Sequence, residues 1–358
     1  MRGSRALYAA GFLLALAARV LFLRAFSGNY DLESFAGAVS ILRRGGDLYL
    51  ETTRYNYSPI WAHVLLGLDS IARWIGCSFG TALGAFLLVV DALTARVLYR
   101  LGGGGRRGTA AALLFFLNPV SIFVSSFHLQ FDNVAILFLL CAVLWAERLP
   151  AARVPTVAWL SASLLTKHIT VFFPPLFLAG RQRRGLRPLE TLVAYAIFAA
   201  SFLPYWRSWA GIRDNVVGYR SLSEDYGVAM LLGVPGVPRW LPSALFAAAM
   251  LAALGLLRHV ARARACLMLF LVMLLFAPGI CEYYFVWPIA LGALFGGAGY
   301  AVYTIVVASF FVGSPDGLGL ALTHLPGWHG VWWSLLLWLA WELRRLSAQA
   351  PKDPGRPS

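Results

Sequence analysis

The sequence predicts an all-α integral membrane protein, and two observations carry this prediction. Of the 358 residues, 59% are apolar and only 13% are charged. Apolar stretches that approach the roughly 20 residues of a membrane-crossing helix recur along the whole chain. About 10 to 12 such crossings would use most of the residues. This excludes an ordinary soluble enzyme and leaves no room for a separate soluble domain.

The positive charge indicates membrane topology. The formal net charge is +14, from 30 basic and 16 acidic residues, and Lys167 and Lys352 are the only lysines. The arginines gather in short gaps between apolar runs, which is the pattern that marks cytoplasmic loops. These gaps contain Arg100, Arg106 and Arg107; Arg148 and Arg153; Arg181, Arg183, Arg184 and Arg187; Arg258, Arg262 and Arg264; and Arg344 and Arg345. We expect the lipid bilayer, and not nucleic acid, as the partner of this charge.

The first span is predicted at about 7 to 26. It follows two arginines and is too long for the apolar core of a signal peptide, so we expect an uncleaved helix that places the next loop outside. If 59 to 75 crossed the membrane and 154 to 180 crossed once, five arginines would lie outside, against the positive-inside bias. We therefore expect 59 to 75 to lie in the outer interface or to re-enter.

The segment from 154 to 180 is then expected to enter and leave on the cytoplasmic side. Two short apolar helices would meet near Lys167 and His168, and Pro174 and Pro175 would shape the return. The other spans are predicted at 79 to 99, 109 to 127, 133 to 147, 189 to 206, 241 to 257, 266 to 280, 284 to 299, 300 to 313 and 330 to 343.

These spans form one polytopic domain over 1–343, divided into 1–180 and 189–343, with a cytoplasmic tail at 344–358. The four cysteines show no paired or C-x-x-C spacing, so the sequence supports neither a disulfide framework nor a zinc site.

The first outer loop is predicted to contain an amphipathic helix at the membrane surface. Asn29 or Asp31 can cap a helix that carries Phe35, Val39 and Leu42 at i, i+4 and i+7 spacing. Asp31 and Glu33 stand two residues apart, so on a helix they point about 200° away from each other.

On a helix only one of these two carboxylates can therefore be the base, whereas in an extended turn both could face one site. A carboxylate that is partly desolvated at the lipid boundary has a raised pKa and can take a proton from a sugar hydroxyl. The structural alternative is a capping pair at a solvated helix start.

Two polar clusters interrupt the apolar runs. The connection from His128 to Asn133 places four polar side chains between two spans, among them Gln130 and Asp132. They predict either hydrogen bonding to a hydroxyl-rich ligand or capping of the two helix ends. The second cluster is Lys167 with His168. A cation at membrane depth can hold a phosphate. The structural alternative is a lysine at a helix end whose ammonium snorkels to the interface.

Other candidate residues lie around these clusters. Arg19, near the outer end of the first span, offers a second cationic contact. The outer segment from Arg207 to Trp240 contains Arg220. Its mixed charge is typical of a lid or an acceptor platform, and the alternative is a solvated loop. Glu282 stands beside Tyr284 at an outer helix end, where tyrosines also form interfacial belts. Asp91, inside a span, is expected to pair with a basic or hydroxyl neighbour.

Four of these motifs occur in an order that resembles the GT-C glycosyltransferases. The motifs are Asp31-Leu32-Glu33, then Tyr57-Ser58-Pro59, then His128-Leu129-Gln130-Phe131-Asp132-Asn133, then Lys167-His168-Ile169. The order is similar to that of the dolichyl-phosphate-glucose glucosyltransferases. A second likeness, to the catalytic subunit of the glycosylphosphatidylinositol mannosyltransferase, lies in Val90-Asp91-Ala92-Leu93-Thr94, Leu117-Asn118-Pro119 and Tyr284-Phe285-Val286-Trp287. The resemblance covers about 7 to 180.

The resemblance implies a GT-C-like helical bundle that transfers mannose or glucose, with inversion, from a polyprenyl phosphate to a lipid-linked or glycan acceptor on the non-cytoplasmic face. Asp31 matches the catalytic base, with Glu33 beside it in the acidic motif. The implied donor site contains His128, Gln130 and Lys167. With the residues singled out above, the full expectation adds Asp132, His168 and Arg19 on the donor side and Tyr57, Arg220, Glu282 and Tyr284 as acceptor or lid residues.

No metal or other cofactor is required by this chemistry, although Asp31 and Glu33 together can hold a divalent cation. Arginine in preference to lysine and short loops favour a bacterial plasma membrane. The competing class is a transporter or flippase for a lipid-linked sugar, which would show paired repeats with broken helices. A third alternative is a non-catalytic membrane subunit that only binds lipid.

Overall fold

The described part of the chain is helical throughout in the computed structural model, which describes residues 2–25, 28–148, 150–178, 184–219, 240–313 and 327–349. Within these ranges there is no β-strand, and a single isolated bridge joins Leu178 to Leu186. The predicted all-α class is confirmed. Arg220 and most of the second outer segment lie outside the described residues.

The described ranges form sixteen α-helices. The first eight are α1 (Arg2–Ala25), α2 (Tyr30–Arg43), α3 (Leu48–Glu51), α4 (Pro59–Ile75), α5 (Phe79–Leu101), α6 (Gly105–Phe116), α7 (Pro119–Ile122) and α8 (Asp132–Ala146). The others are α9 (Arg153–Thr166), α10 (Pro188–Ala200), α11 (Trp209–Ile212), α12 (Trp240–Leu257), α13 (Arg262–Phe276), α14 (Trp287–Phe295), α15 (Ala298–Gly313) and α16 (Trp328–Gln349). Short π-helical turns follow α7 and α11, and 3₁₀ turns follow α9 and precede α14.

Three described helices are long and apolar enough to cross a membrane, namely α1 from Tyr8, α5 and α12. Two further pairs pass the same test together but are bent, by 50° between α6 and the segment Pro119–Phe127 and by 59° between α10 and the segment Leu203–Val217. By length and composition the described ranges therefore contain three to five candidate spans, which is consistent with a helical membrane protein. The expected total of 10 to 12 crossings stays a prediction.

The bend after α6 differs from the single span that we expected over 109 to 127. Asn118 and Pro119 cause the bend. Proline has no backbone N–H to donate to the preceding turn of α6, and Asn118 caps the start of the next helix, α7. The Asn118 Oδ1 accepts a hydrogen bond from the Val120 amide at 2.9 Å, and its Nδ2 donates to the Tyr300 hydroxyl at 2.8 Å. The side chain therefore caps α7 and ties it to α15.

The amphipathic helix predicted in the first outer loop is α2. Asn29 caps it, because its Oδ1 accepts a hydrogen bond from the Leu32 amide at 2.9 Å. The buried side of α2 carries Phe35 and Val39, as the spacing predicts. The capping role that the sequence left open between Asn29 and Asp31 thus falls to Asn29.

The segment from 59 to 75 is α4, which is amphipathic. Its buried side carries Trp61 and Leu65, whereas Trp74 and Ile75 near its C-terminus are exposed. Pro59 stands in its first turn and Gly76, at φ +73°, ends it in the left-handed conformation that glycine adopts without strain. Such a helix suits the outer interface that the arginine distribution favours.

The segment from 154 to 180 is broken at the predicted place. Helix α9 ends at Thr166, and Lys167 has an extended backbone at φ −151°. The second short helix is replaced by two 3₁₀ turns, His168–Phe172 and Pro174–Phe177. The two prolines explain the difference, because neither can donate the backbone hydrogen bond that an α-helix requires.

Helix packing in the bundle generates a first prediction, at Gly108. A β-carbon added there would lie 2.2 Å from the carbonyl oxygen of Tyr99, where α6 crosses α5. We expect Gly108→Ala to destabilise the fold by about 1–3 kcal/mol through overpacking. The matched control is Gly67→Ala in α4, where a β-carbon meets nothing within 4 Å and where alanine is expected to stabilise the helix by up to about 1 kcal/mol. Thermal midpoints in detergent compare the two, and equal midpoints would contradict the prediction.

Candidate functional site

The polar connection between the π-helical turn Phe123–Phe127 and α8 is the centre of the site. Its backbone is fixed by hydrogen bonds from the Gln130 amide to the Val124 carbonyl at 3.0 Å and from the Asn29 Nδ2 to the His128 carbonyl at 2.9 Å. Leu129 has φ +54°, which is uncommon for a residue with a side chain. Its buried side chain holds this conformation, and such local strain concentrates at functional sites.

Asp132 and Lys167 form a buried ion pair. The Lys167 ammonium donates to both oxygens of the Asp132 carboxylate at 2.8 Å, and the two side chains are 3% and 0% exposed. The Trp287 indole donates to the same carboxylate. Asp132 therefore does not cap α8, whose N-cap position is held by Phe131. The capping alternative for Asp132 is excluded, and the polar side chain joins α8 to the break after α9.

Aromatic rings surround the lysine of this pair. The Lys167 ammonium lies 5.0 Å from the ring centre of Tyr284, 5.2 Å from that of Phe131 and 5.6 Å from that of Tyr57. A cation within about 6 Å of the centre of an aromatic ring is attracted to the electron-rich face of that ring. This cation–π attraction strengthens when the cation is desolvated. The ring of Tyr284 also stacks on that of Trp287 at 4.4 Å. Lys167 is thus a partnered cation and not a lysine that snorkels to the interface.

Asp31 reaches the same cluster from the start of α2. The Gln130 Nε2 donates a hydrogen bond to its carboxylate, and this contact fixes the orientation of the Gln130 amide. Burial raises the pKa of the Asp31 carboxyl above its ordinary value. A hydrogen bond from Tyr283 and the positive charge of Lys167 oppose part of that rise. The sequence did not single out Tyr283, although it stands between the expected residues Glu282 and Tyr284.

Glu33 points away from the cluster. Its side chain is 73% exposed, and its nearest described cation is the Arg54 guanidinium at 3.4 Å. Arg54 itself stacks over the Tyr30 ring at 3.7 Å. The helical geometry of α2 produces this separation, because positions two apart face nearly opposite directions. The structure therefore brings Asp31, and not Glu33, to the ion pair.

Three further expected residues, His128, Glu282 and His168, have different surroundings. The buried His128 ring packs against the rings of Phe123 and Tyr283. Glu282 is buried in the turn before α14. The Nδ1 of His168 has no hydrogen-bond partner among the described residues.

Arg19 requires a correction. Its guanidinium is fully buried and pairs with Asp91 of α5, and it also donates to the Phe116 carbonyl at 3.1 Å and to the Ser121 hydroxyl at 3.0 Å. All five N–H donors of the guanidinium therefore have partners inside the bundle, which leaves none for the expected contact between Arg19 and a donor phosphate. The expectation that Asp91 pairs with a basic or hydroxyl neighbour is confirmed, by Arg19 and by the Ser125 hydroxyl.

The described start of the second outer segment packs on the first outer loop. Asn215 donates to the Thr52 carbonyl at 3.1 Å, and the Ser208 hydroxyl donates to the Asp47 carboxylate. The Tyr219 side chain lies close to those of Asn56 and Tyr284, so the segment reaches the aromatic rings around Lys167. Sequence patterns gave no signal for Tyr219, since a single tyrosine in a polar loop is common.

A cleft of about 690 Å³ opens beside the N-terminus of α2. Its walls include Asn29 and Glu33 from α2, Leu23 from α1, and Ser78 and Thr81 from the start of α5. Neither Asp31 nor the Asp132–Lys167 pair is among the lining residues. In the described ranges, no group of three or more His, Cys, Asp or Glu side chains is arranged to hold a metal ion.

Comparisons with protein-family models, with curated proteins and with solved structures find no match to this chain. The geometry of the site and the chemistry of its residues are therefore the basis of the functional argument.

The buried pair generates a second prediction. Lys167→Met would leave the Asp132 carboxylate buried without its cation, and we expect a loss of about 3–5 kcal/mol in stability. The double variant Lys167→Met with Asp132→Leu removes both charges and should recover much of that loss. Thermal midpoints in detergent measure both effects. A single variant as stable as the wild type would show that the pair is not buried as described.

Proposed function

We propose that the protein is an inverting GT-C-type hexosyltransferase that transfers mannose or glucose from a polyprenyl phosphate to a lipid-linked or glycan acceptor. The observation that carries the proposal is the half-buried Asp31 carboxylate beside the Lys167–Asp132 pair. One carboxylate with a raised pKa and one cation lie within a single cluster, and these are the two groups that the reaction needs.

Asp31 acts as the general base in this proposal. Its carboxylate takes the proton of the acceptor hydroxyl while the hydroxyl oxygen attacks C1 of the donor hexose. The bond from C1 to the phosphate oxygen breaks, and the polyprenyl phosphate leaves with the electron pair. Attack and departure on opposite faces of C1 invert its configuration. The raised pKa supports this role, because a carboxylate that binds protons more tightly is a stronger base at neutral pH.

Lys167 assists the departing phosphate. An ammonium has three N–H donors, and the two contacts with Asp132 leave one for a phosphate oxygen. Asp132 and Trp287 fix the ammonium in place, so little reorganisation is needed as negative charge develops on the leaving group. Gln130 and Tyr283 orient the base from the other side. Glu33, which faces outward, is assigned no part in proton transfer.

In this proposal the chain is a single polytopic domain with 10 to 12 crossings, and the site faces the outer side of a bacterial plasma membrane. Helices α2 and α4 lie in the outer interface, which brings Asp31 to the depth of a lipid-linked sugar. The polyprenyl chain of the donor lies between spans. No metal is required, because side chains can neutralise a single phosphate, and a divalent cation at Asp31 is an alternative that a chelator would reveal.

A transporter or flippase for a lipid-linked sugar is the second candidate. The bent pairs formed by α6 with α7 and by α10 with the segment after it favour this candidate, since broken helices are typical of transport sites. A transporter has no need of a general base. The two classes therefore differ in whether chemistry depends on Asp31.

A third prediction tests the base. Purified wild type and Asp31→Asn are placed in liposomes with radiolabelled polyprenyl-phosphate mannose or glucose and a mixed acceptor fraction. We expect Asp31→Asn to lower transfer by about 10²–10⁴-fold, the usual contribution of a general base, without changing the thermal midpoint. Glu33→Gln, the neighbouring carboxylate on the opposite side of α2, should cost far less. Full transfer by Asp31→Asn would refute the assignment, and movement of labelled lipid without transfer would favour the transporter.

The raised pKa of Asp31 leads to a fourth prediction. The base must be ionised, so kcat/KM should rise with pH through a midpoint above the value of about 4 that is ordinary for a carboxyl group. Because the charge of Lys167 lowers the pKa of Asp31, Lys167→Met should move this midpoint to higher pH. A pH profile with no ionisation above the ordinary carboxyl range would contradict the role of Asp31.

A further inference from the structure

A second buried ion pair lies inside the bundle, next to the site but outside its chemistry. Arg19 of α1 pairs with Asp91 of α5, and both side chains are fully buried. The Arg19 guanidinium also donates to the Ser125 hydroxyl at 2.9 Å and the Ser121 hydroxyl at 3.0 Å. Its remaining donors contact the Phe116 carbonyl at 3.1 and 3.2 Å, the carbonyl that the break before α7 leaves without a helical partner.

Asp91 has one more contact, and it leads to the site. Its Oδ1 accepts a hydrogen bond from the Asn133 Nδ2 at 2.7 Å, while its other oxygen accepts from Arg19 and from Ser125. Asn133 directly follows Asp132, the carboxylate that holds Lys167. The first turn of α8 is therefore fixed by two adjacent side chains, one tied to Asp91 and the other to Lys167.

We propose that Arg19 and Asp91 are positioning residues: through Asn133 they hold the first turn of α8 so that Asp132 keeps the Lys167 ammonium beside Asp31. The inference rests on the proposed transferase for its kinetic consequence. The contact from Asn133 to Asp91, at 2.7 Å, is the main link. A longer contact of 3.4 Å joins the Asn133 Nδ2 to the Ser121 hydroxyl, which also accepts a hydrogen bond from Arg19.

A purely structural pair would behave differently. Replacing both members of a buried ion pair by apolar residues of similar size is often neutral or stabilising, because the cost of desolvating the charges is removed together with their attraction. The double variant Arg19→Met with Asp91→Leu therefore removes the anchor of Asn133 without leaving a buried charge. Asn133→Ala, which breaks the link but leaves the ion pair intact, is the second variant should the double variant fail to fold.

The test combines kinetics with hydrogen exchange. We expect the double variant and Asn133→Ala to lower kcat about 10- to 100-fold with little change in donor KM, because displacement of a catalytic group by a fraction of an ångström is costly. Amide exchange in the peptide covering 123–133 should become faster while the other helices keep their protection. In an Asp132→Asn background, the same substitutions should cause little further loss, because Arg19 and Asp91 act through Asp132.

The matched control is Glu342→Gln in α16. Glu342 is also a fully buried carboxylate, with Arg264 and Arg345 each at 3.5 Å, and none of these three residues belongs to the proposed site. It should change stability and leave both kcat and exchange at 123–133 unaltered. A folded double variant with normal kcat and normal amide exchange at 123–133 would overturn the inference. If the wild type transfers no sugar at all, the proposed function fails, and the exchange measurement alone decides whether Arg19 and Asp91 position this turn.

Discussion

The contact on which the rest of the site depends is the buried ion pair between Asp132 and Lys167. A carboxylate and an ammonium lose their hydration when they are buried, and only close pairing with further hydrogen bonds compensates for that loss. The pair achieves this with two 2.8 Å contacts, a donor from Trp287 and a ring of aromatic side chains. It therefore fixes the start of α8, the break after α9 and the start of α14 relative to one another.

The same requirement governs the other charges inside the bundle. Arg19 places its donors on Asp91, two serine hydroxyls and a carbonyl freed by a helix break. Glu342 of α16 lies 3.5 Å from each of two arginines, Arg264 and Arg345. Buried charges in this apolar protein thus lie where helices meet. The pairs Lys167–Asp132, Arg19–Asp91 and Arg264–Glu342 each join segments that are distant in the sequence. The pair at Lys167 differs from the other two, because Lys167 also acts on a further carboxylate, that of Asp31, besides its own partner Asp132.

Local capping decides what Asp31 can do. The Asn29 Oδ1 accepts a hydrogen bond from the Leu32 amide in the first turn of α2, and the Nδ2 of the same side chain donates to the His128 carbonyl. Asp31 is consequently not needed as a cap, and its carboxylate turns toward Gln130. The two neighbouring acidic residues acquire different environments from a single helical turn. A half-buried base and an exposed surface carboxylate result from the same short motif.

The sequence by itself determined the helical class, the helix at the first outer loop, the interruption near Lys167 and the polar connection from His128 to Asn133. These features follow from composition, helical periodicity and the preferences of proline and asparagine, which act over a few residues. Bends such as the one at Asn118 were not anticipated, because the apolar run continues through them.

Only the tertiary structure decided which groups meet. Asp132 contacts Lys167, which is 35 residues away in the sequence, and Trp287, which is 155 residues away. Arg19 contacts Asp91, which is 72 residues away. No local pattern encodes such pairings, so a sequence can show that a charge must have a partner without showing which partner it has. For that reason Lys167 and Asp31 were found from the sequence as candidates, whereas the internal role of Arg19, the outward direction of Glu33 and the contribution of Tyr283 came from the packing of the helices.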